Sequence, residues 1–178
     1  MGGERSAGDA RLSLPAATGD LLRAAQRGDS MALHDLLDAL VPYVARICGP
    51  IALDDAPDAA QEALVAVFRS LHTLRKPAAL HGWVRAIATR EAVRAARRRA
   101  ACPTGALPDL PARGDPELTA DVRDVLARLT PEHRAILVLR DLEGFDEAAA
   151  ATLLAVPPGT VKSRLHRARR SFREAWTR

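Results

Sequence analysis

Residues 158–178 carry seven Lys/Arg against one Asp/Glu, and their spacing decides what that charge can do. With a helical advance of about 100° per residue, Val161, Leu165, Ala168 and Phe172 fall on one apolar stripe. Ser163, His166, Arg167 and Arg170 fall on the opposite face. A helix presenting such residues fits the major groove of duplex DNA, where arginine pairs bidentately with guanine and serine or histidine makes less exclusive contacts. Lys162 and Arg169 lie on the flank, where they suit phosphates. Thr160, in the first turn, can offer its hydroxyl and backbone N–H to a phosphate.

A second basic segment, residues 81–99, carries six Lys/Arg against one Asp/Glu. The rest is acidic on balance: eight against ten in residues 1–80, five against ten in residues 100–157. The net charge of +4 is therefore concentrated in two short segments, which suggests two phosphate-facing surfaces. The alternative is a pair of solvated surface helices. A third constellation is of another kind. Asp58, Gln61, Glu62, Val65 and Arg69 share one exposed helical face, and a valine among polar neighbours suits a protein interface. Asp54 and Asp55, at the start of that helix, read instead as compensation of the helix dipole.

Other chemistries find no footing. His34, His72, His81, His133 and His166 form no metal-binding spacing. Cys48 and Cys102 are far apart and unpaired in pattern, which fits a reducing cytosol better than a disulfide framework. There is no Gly-rich phosphate loop and no nucleophile elbow. The sequence thus points to no enzyme, no catalytic residues, no metal and no cofactor. No signal peptide and no apolar run of membrane-spanning length is expected.

The elements that must position these faces are helical. Aromatic residues make up only 3% of the chain, so Ala and Leu supply the apolar surface, which favours helix over strand. Residues 1–17 read as a disordered tail. A short helix over Asp20–Arg27 ends at Gly28. A second follows with Leu33, Leu36, Leu37, Leu40, Val41, Val44 and Ile47 at helical spacing, stopped by Gly49-Pro50. A third starts at Pro57 and runs to about Leu74, with Leu64, Val67, Phe68 and Leu71 inward. A fourth covers about Ala78–Arg99, with Leu80, Trp83, Val84 and Ile87 inward. Residues 100–117 hold four prolines and two glycines and read as a flexible linker. Beyond it lie a helix over Leu118–Leu129, one capped by Thr130 that runs to about Leu142, a short one capped by Asp146, and a last one opened by Pro158 and running to about Trp176. The Ala155-Val156-Pro157 turn before a basic helix is the helix-turn-helix pattern. The expected fold is all-α: two small helical domains, residues 18–99 and 118–178, joined by that linker.

Residues 124–170, DVLARLTPEHRAILVLRDLEGFDEAAAATLLAVPPGTVKSRLHRARR, resemble the C-terminal region of bacterial sigma factors of the extracytoplasmic-function class. The run from Gly159 to Arg169 carries most of the likeness. The helix-turn-helix of response-regulator output domains also starts Thr-Val-Lys, but lacks the Arg-Ala-Arg ending and the upstream Leu-Thr-Pro-Glu-His-Arg segment. The resemblance implies that Thr160, Lys162, Ser163, His166, Arg167 and Arg170 meet the −35 promoter element. Residues 55–64 are similar to that family's acidic helix, which docks on the polymerase clamp; this places Asp58, Gln61, Glu62, Val65 and Arg69 against core RNA polymerase. The helix from Leu80 resembles the −10 element helix, implying DNA contacts from Arg85, Thr89, Arg90, Arg94 and Arg97. The loop from His72 to Pro77 would then hold a flipped base. Two positions depart from the family pattern, Arg90 where Asn is common and Arg94 where Asp is common, and both add charge. The implied partners are core RNA polymerase, promoter DNA and an anti-sigma factor, with no membrane and a cytoplasmic location. The competing classes are a stand-alone helix-turn-helix regulator, which has no use for the Asp58–Arg69 face, and a protein-interaction module, whose basic helices serve only as solvated surface.

Overall fold

A computed structural model describes residues 18–101 and 116–177. The expected N-terminal tail and most of the expected linker lie outside the described residues. Within them the chain is all-α, in the order α1 (Thr18–Gln26), α2 (Ser30–Ala52), α3 (Ala56–Ser70), α4 (Leu80–Ala101), α5 (Pro116–Ala127), α6 (Pro131–Leu137), α7 (Glu147–Leu154) and α8 (Pro158–Trp176).

The first four helices pack around α2. Gly28, at a φ of 96°, ends the turn after α1, a conformation that suits glycine. Asp29 then caps α2, accepting from the backbone N–H of Met31 and Ala32 at 3.0 Å, which satisfies two of the orphan donors at a helix start. Leu36, Leu40, Val44, Ile47 and Ile51 of α2 are fully buried, or nearly so, against Leu22, Val67 and Val84. Ala59 and Ala63 of α3 and Ala88 and Ala92 of α4 are fully buried too. These small residues let the helices approach closely, so a core poor in aromatics can still be dense. Cys48 is buried there, and burial pushes its thiol up to about 12.

Several boundaries differ from expectation. α2 does not stop at Gly49-Pro50 but continues to Ala52. A proline removes one N–H and clashes with the turn before it, yet here burial of Ile51 and Ala52 outweighs that penalty in the last turn. α3 ends at Ser70 and passes into a 3₁₀ turn, Leu71–Thr73. Phe68, expected inward, is 52% exposed. α4 begins at Leu80, after a 3₁₀ turn over Pro77–Ala79. Ser30–Thr73 also contains a stretch long and apolar enough, by composition alone, to cross a membrane, contrary to the expectation of none. Nine of the α2 residues within it are buried in the protein core, and core helices pass the same test.

In the C-terminal half, Thr130 caps α6 by accepting from the His133 N–H at 3.3 Å, and Asp146 caps α7 by accepting from the Ala149 N–H at 2.7 Å. α6 does not run to Leu142 as a uniform helix. It widens into a π-helical turn over Val138–Leu142. Val161, Leu165 and Ala168 of α8 pack on Ile136, Leu139, Ala150 and Leu153, as the expected stripe required. Phe172 is only half-buried and stacks on Trp176, with ring centroids 6.1 Å apart.

The two halves are docked on each other. Ala135 and Val138 join the core of the N-terminal half. Arg134, 6% exposed, donates from Nε to the Ile51 carbonyl at 2.7 Å and from Nη1 to the Leu126 and Leu129 carbonyls at 3.2 and 2.9 Å. Arg134→Met would keep the aliphatic stem and remove all three bonds. Unsatisfied buried groups cost about 1–3 kcal/mol each when nothing replaces their partner, so urea unfolding of the full chain should show a loss of about that size. An unchanged midpoint would refute the bridging role.

Candidate nucleic-acid interface

Three surfaces carry the side chains that the sequence singles out. The first is α8, delivered by a tight turn from α7. Ala155 takes the left-handed conformation (φ 52°), and the Val156 N–H closes onto the Ala151 carbonyl at 3.0 Å. Buried Ala150 and Ala151 let α7 cross close to α8. Lys162, Ser163, His166, Arg167 and Arg170 are all exposed, and Thr160 is half-buried. The outward face is thus assembled as expected, with its charges partly tethered. Arg167 Nε donates to the Ser163 carbonyl at 3.3 Å, Arg170 pairs with Glu174 at 2.7 Å, and Arg169 pairs with Asp141. The positive field is felt nearby: burial, with Arg167 and Arg164 after it, holds the His133 imidazole below its ordinary value.

The second surface is α4, and here the structure divides the expected set. Arg90, Arg94 and Arg97 are exposed. Arg85 and Thr89 are not: the Arg85 side chain is 11% exposed and Thr89 is fully buried. Positions 85 and 89 share one helical face, and 90, 94 and 97 share another about 130° around, so one duplex cannot meet all five in this arrangement. The exposed arginines have acidic neighbours. Arg94 pairs with Glu91 at 3.0 Å, Arg97 with Glu132 of α6, and Arg98 with Glu62 of α3 at 2.9 Å. Burial pushes the Glu132 carboxyl up, but its own backbone N–H and the Arg97 bond and charge outweigh this and hold it below the usual carboxylate range. A groove of about 570 Å³ lies between α4 and the C-terminal half, walled by Arg90, Arg94, Arg97, Arg98 and Arg164. Arg98 and Arg164 were missed by the sequence reading. Their part in the groove follows from docking of the two halves, which no local pattern encodes.

The loop before α4 is pinned from beneath. Gln26 Nε2 donates to the carbonyls of Leu71 and Leu74 at 2.9 and 2.8 Å, while His72, Thr73, Arg75 and Lys76 remain exposed. Trp83 is half-buried at the edge of the core.

The third surface is on α3. Asp58, Gln61, Glu62, Val65 and Arg69 are all exposed on one face. Val65, 41% exposed, lies within this face and Phe68, 52% exposed, at its edge, so the apolar surface extends beyond the single valine that the spacing predicts. Among the described residues no group of three or more His, Cys, Asp or Glu side chains is placed to hold a metal.

Comparison with known proteins places the chain in a family. Residues 33–102 match the family model for Sigma-70 region 2, and residues 119–172 match that for Sigma-70, region 4. The chain is 36% identical over 132 residues to the ECF RNA polymerase sigma factor SigE of Mycolicibacterium smegmatis, covering 67% of this chain and 51% of that protein. It is 37% identical over 120 residues to SigM of Mycobacterium tuberculosis, covering 65% and 61%. The matched part therefore spans only half to three-fifths of those two relatives. The RNA polymerase sigma-H factor of Pseudomonas aeruginosa is 31% identical over 179 residues, covering 87% of this chain and 91% of that one. Two solved structures share the fold. CnrH in complex with the cytosolic domain of CnrY has a TM-score of 0.61 at 23% identity, covering 89% of this chain and 96% of that one. The sigma factor RpoE in complex with the anti-sigma factor NepR, from Bartonella quintana, has a TM-score of 0.63 at 21% identity, covering 81% and 96%. Both family regions are present, in order, on the helices that carry the three surfaces, and the chain belongs to the sigma-70 family, in its extracytoplasmic-function class.

Proposed function

We propose that this chain binds core RNA polymerase and directs promoter-specific transcription initiation. The observation that carries this reading is that one chain presents both an outward basic helix-turn-helix face and, on α3, an exposed polar face with Val65 within it and Phe68 at its edge. A regulator acting alone needs the first and has no use for the second. In this reading Thr160, Lys162, Ser163, His166, Arg167 and Arg170 contact the −35 element. Arg90, Arg94 and Arg97 face the −10 region, and Arg85 and Thr89 reach it only after rearrangement. Asp58, Gln61, Glu62, Val65 and Arg69 dock on the polymerase clamp. The chain lowers no chemical barrier and acts in the cytoplasm. A partner of the anti-sigma kind, as named for the Bartonella quintana protein, is a further proposal.

Run-off transcription with purified core polymerase on genomic fragments tests the central claim, and absence of any chain-dependent transcript would reject it. Gln61→Ala combined with Glu62→Ala should weaken core polymerase capture while the chain stays folded, since both side chains are exposed. Undiminished capture in a pull-down would remove α3 as the docking face.

The recognition helix allows a finer separation. Arg167 lies near the outward pole of α8 and toward its N-terminal half, where such helices meet bases, whereas Lys162 lies on the flank. Losing a bidentate base contact costs about 1–3 kcal/mol and relaxes preference at one base pair, whereas losing a phosphate contact weakens all sequences alike and lowers the salt slope by about one. Arg167→Ala should therefore flatten selectivity in a binding-site selection, and Lys162→Ala should lower affinity without changing the preferred site. Retention of the full base preference by Arg167→Ala would show that this face does not read the groove.

A further inference from the structure

We propose that the groove between α4 and the C-terminal half is a binding site for a nucleoside triphosphate, with its phosphates on the arginine wall and its base on the aliphatic side chains beside it. The proposal goes beyond the reading of the chain as a transcription initiation factor and does not depend on it.

The charge of the groove is one-sided. Arg90, Arg94, Arg97 and Arg98 recur at i, i+4, i+7 and i+8, so α4 lays them along one face, and Arg164 of α8 joins them from the C-terminal half. Five guanidinium groups thus line the groove with Glu132 as their one carboxylate. Arg90 and Arg164 make no ion pair among the described residues. The other three pair with Glu91, Glu132 and Glu62, but each of these arginine side chains is more than half exposed, and pairs at such positions are weak and readily exchanged. Gathered cations with too few acids repel one another, and an incoming anion relieves that repulsion. The guanidinium fork matches phosphate oxygens bidentately. A single phosphate reaches one or two such forks, whereas a triphosphate, with about four negative charges at neutral pH, answers the whole excess.

A bare polyanion would leave part of the groove unused. Val93 of α4, Leu154 at the end of α7 and Val156 of the following turn line it as well, and all three are only half-buried. Aliphatic surface therefore lies open beside the charges. The volume of about 570 Å³ falls within the range of small-molecule sites, which combine apolar lining with a few convergent polar groups. A nucleobase meets both demands, because its faces pack on valine and leucine and stack on guanidinium planes. A duplex keeps its bases stacked and cannot present one to this surface without flipping it out. Thr89 also lines the groove, and its Oγ1 is buried with no hydrogen-bond partner. Buried hydroxyls are nearly always paired, and a ribose or phosphate oxygen would supply the missing acceptor.

Titration of the full chain with a fluorescent ATP analogue tests the site. Unlabelled ATP should displace the analogue, inorganic tripolyphosphate should do so roughly tenfold more weakly for want of a base, and adenosine should not displace it measurably. Arg164→Gln and Val156→Asp, at positions assigned to neither DNA nor polymerase, should each weaken binding roughly tenfold, the loss expected from one charged or apolar contact. Arg164→Gln keeps a helix-compatible side chain and so reads the site even if Val156→Asp folds poorly. Arg173→Gln, exposed on α8 outside the groove, is the control for general attraction to the basic helix and should leave binding unchanged. A photoreactive azido analogue of ATP should label peptides from α4 and from residues 154–164. Equal displacement by ATP and tripolyphosphate overturns the nucleotide assignment, as does far stronger displacement by a short single-stranded oligonucleotide. Undiminished binding by Arg164→Gln, or labelling confined to other peptides, overturns the site. None of these readouts uses polymerase or promoter, so failure of the initiation reading appears in run-off transcription and failure of the nucleotide site appears here.

Discussion

A guanidinium cannot shed its charge to enter a protein interior, so a buried arginine dictates what must surround it. Arg134 is that residue here. Burial lowers its pKa from the ordinary value, yet it stays charged, and its acceptors are backbone carbonyls at Ile51, Leu126 and Leu129. Ile51 lies in the last turn of α2 and Leu126 in the last turn of α5. Carbonyls at helix ends have no partner within the helix and carry the negative pole of the dipole. One cation therefore completes two helix C-termini that belong to different halves of the chain. Arg134 thereby ties α6 to the end of α2, beside the apolar contact made by Ala135 and Val138.

Around that point the segregated charges of the sequence become complementary. The arginines of α4 meet acids that lie far away in the chain: Glu62 and Asp54 on one side, Glu132 and Glu143 on the other. Ion pairs at half-exposed positions are each worth about 1 kcal/mol or less. They bias an arrangement without fixing it. Glu62 illustrates the point, because it lies on the proposed polymerase-docking face and already pairs with Arg98.

Much of this was legible in the sequence because it is local. Thr130 and Asp146 cap helices through bonds to N–H groups three residues on, and the Val161–Leu165–Ala168 stripe follows from helical spacing alone. What escaped was decided at a distance. Gly49-Pro50 looks like a stop, but Ile51 is claimed by the core. Phe68 looks like core, but the inner face of α3 is filled by Ala59, Ala63 and Val67. Arg85 and Thr89 read as DNA ligands together with Arg90, Arg94 and Arg97 when taken as a linear set, and the fold parts them because they occupy a different face of the same helix. No single-element pattern announces that α6 and α4 will meet.

The π-helical turn at Val138–Leu142 acts as a phase shifter. Its Glu143 N–H reaches back to the Val138 carbonyl at 2.9 Å, spanning five residues where an ordinary helix spans four, so the segment holds one residue more than a uniform helix of the same rise. The widened turn takes up that extra residue, so the side chains beyond it are offset by one position from the register an unbroken α6 would set. Without the extra residue the segment could close as ordinary α-helical turns, and the chain would leave α6 one residue sooner on its way to α7. The path from α6 to α7, and with it the placing of α8, thus depends on a count of residues in this turn as well as on what the side chains contact.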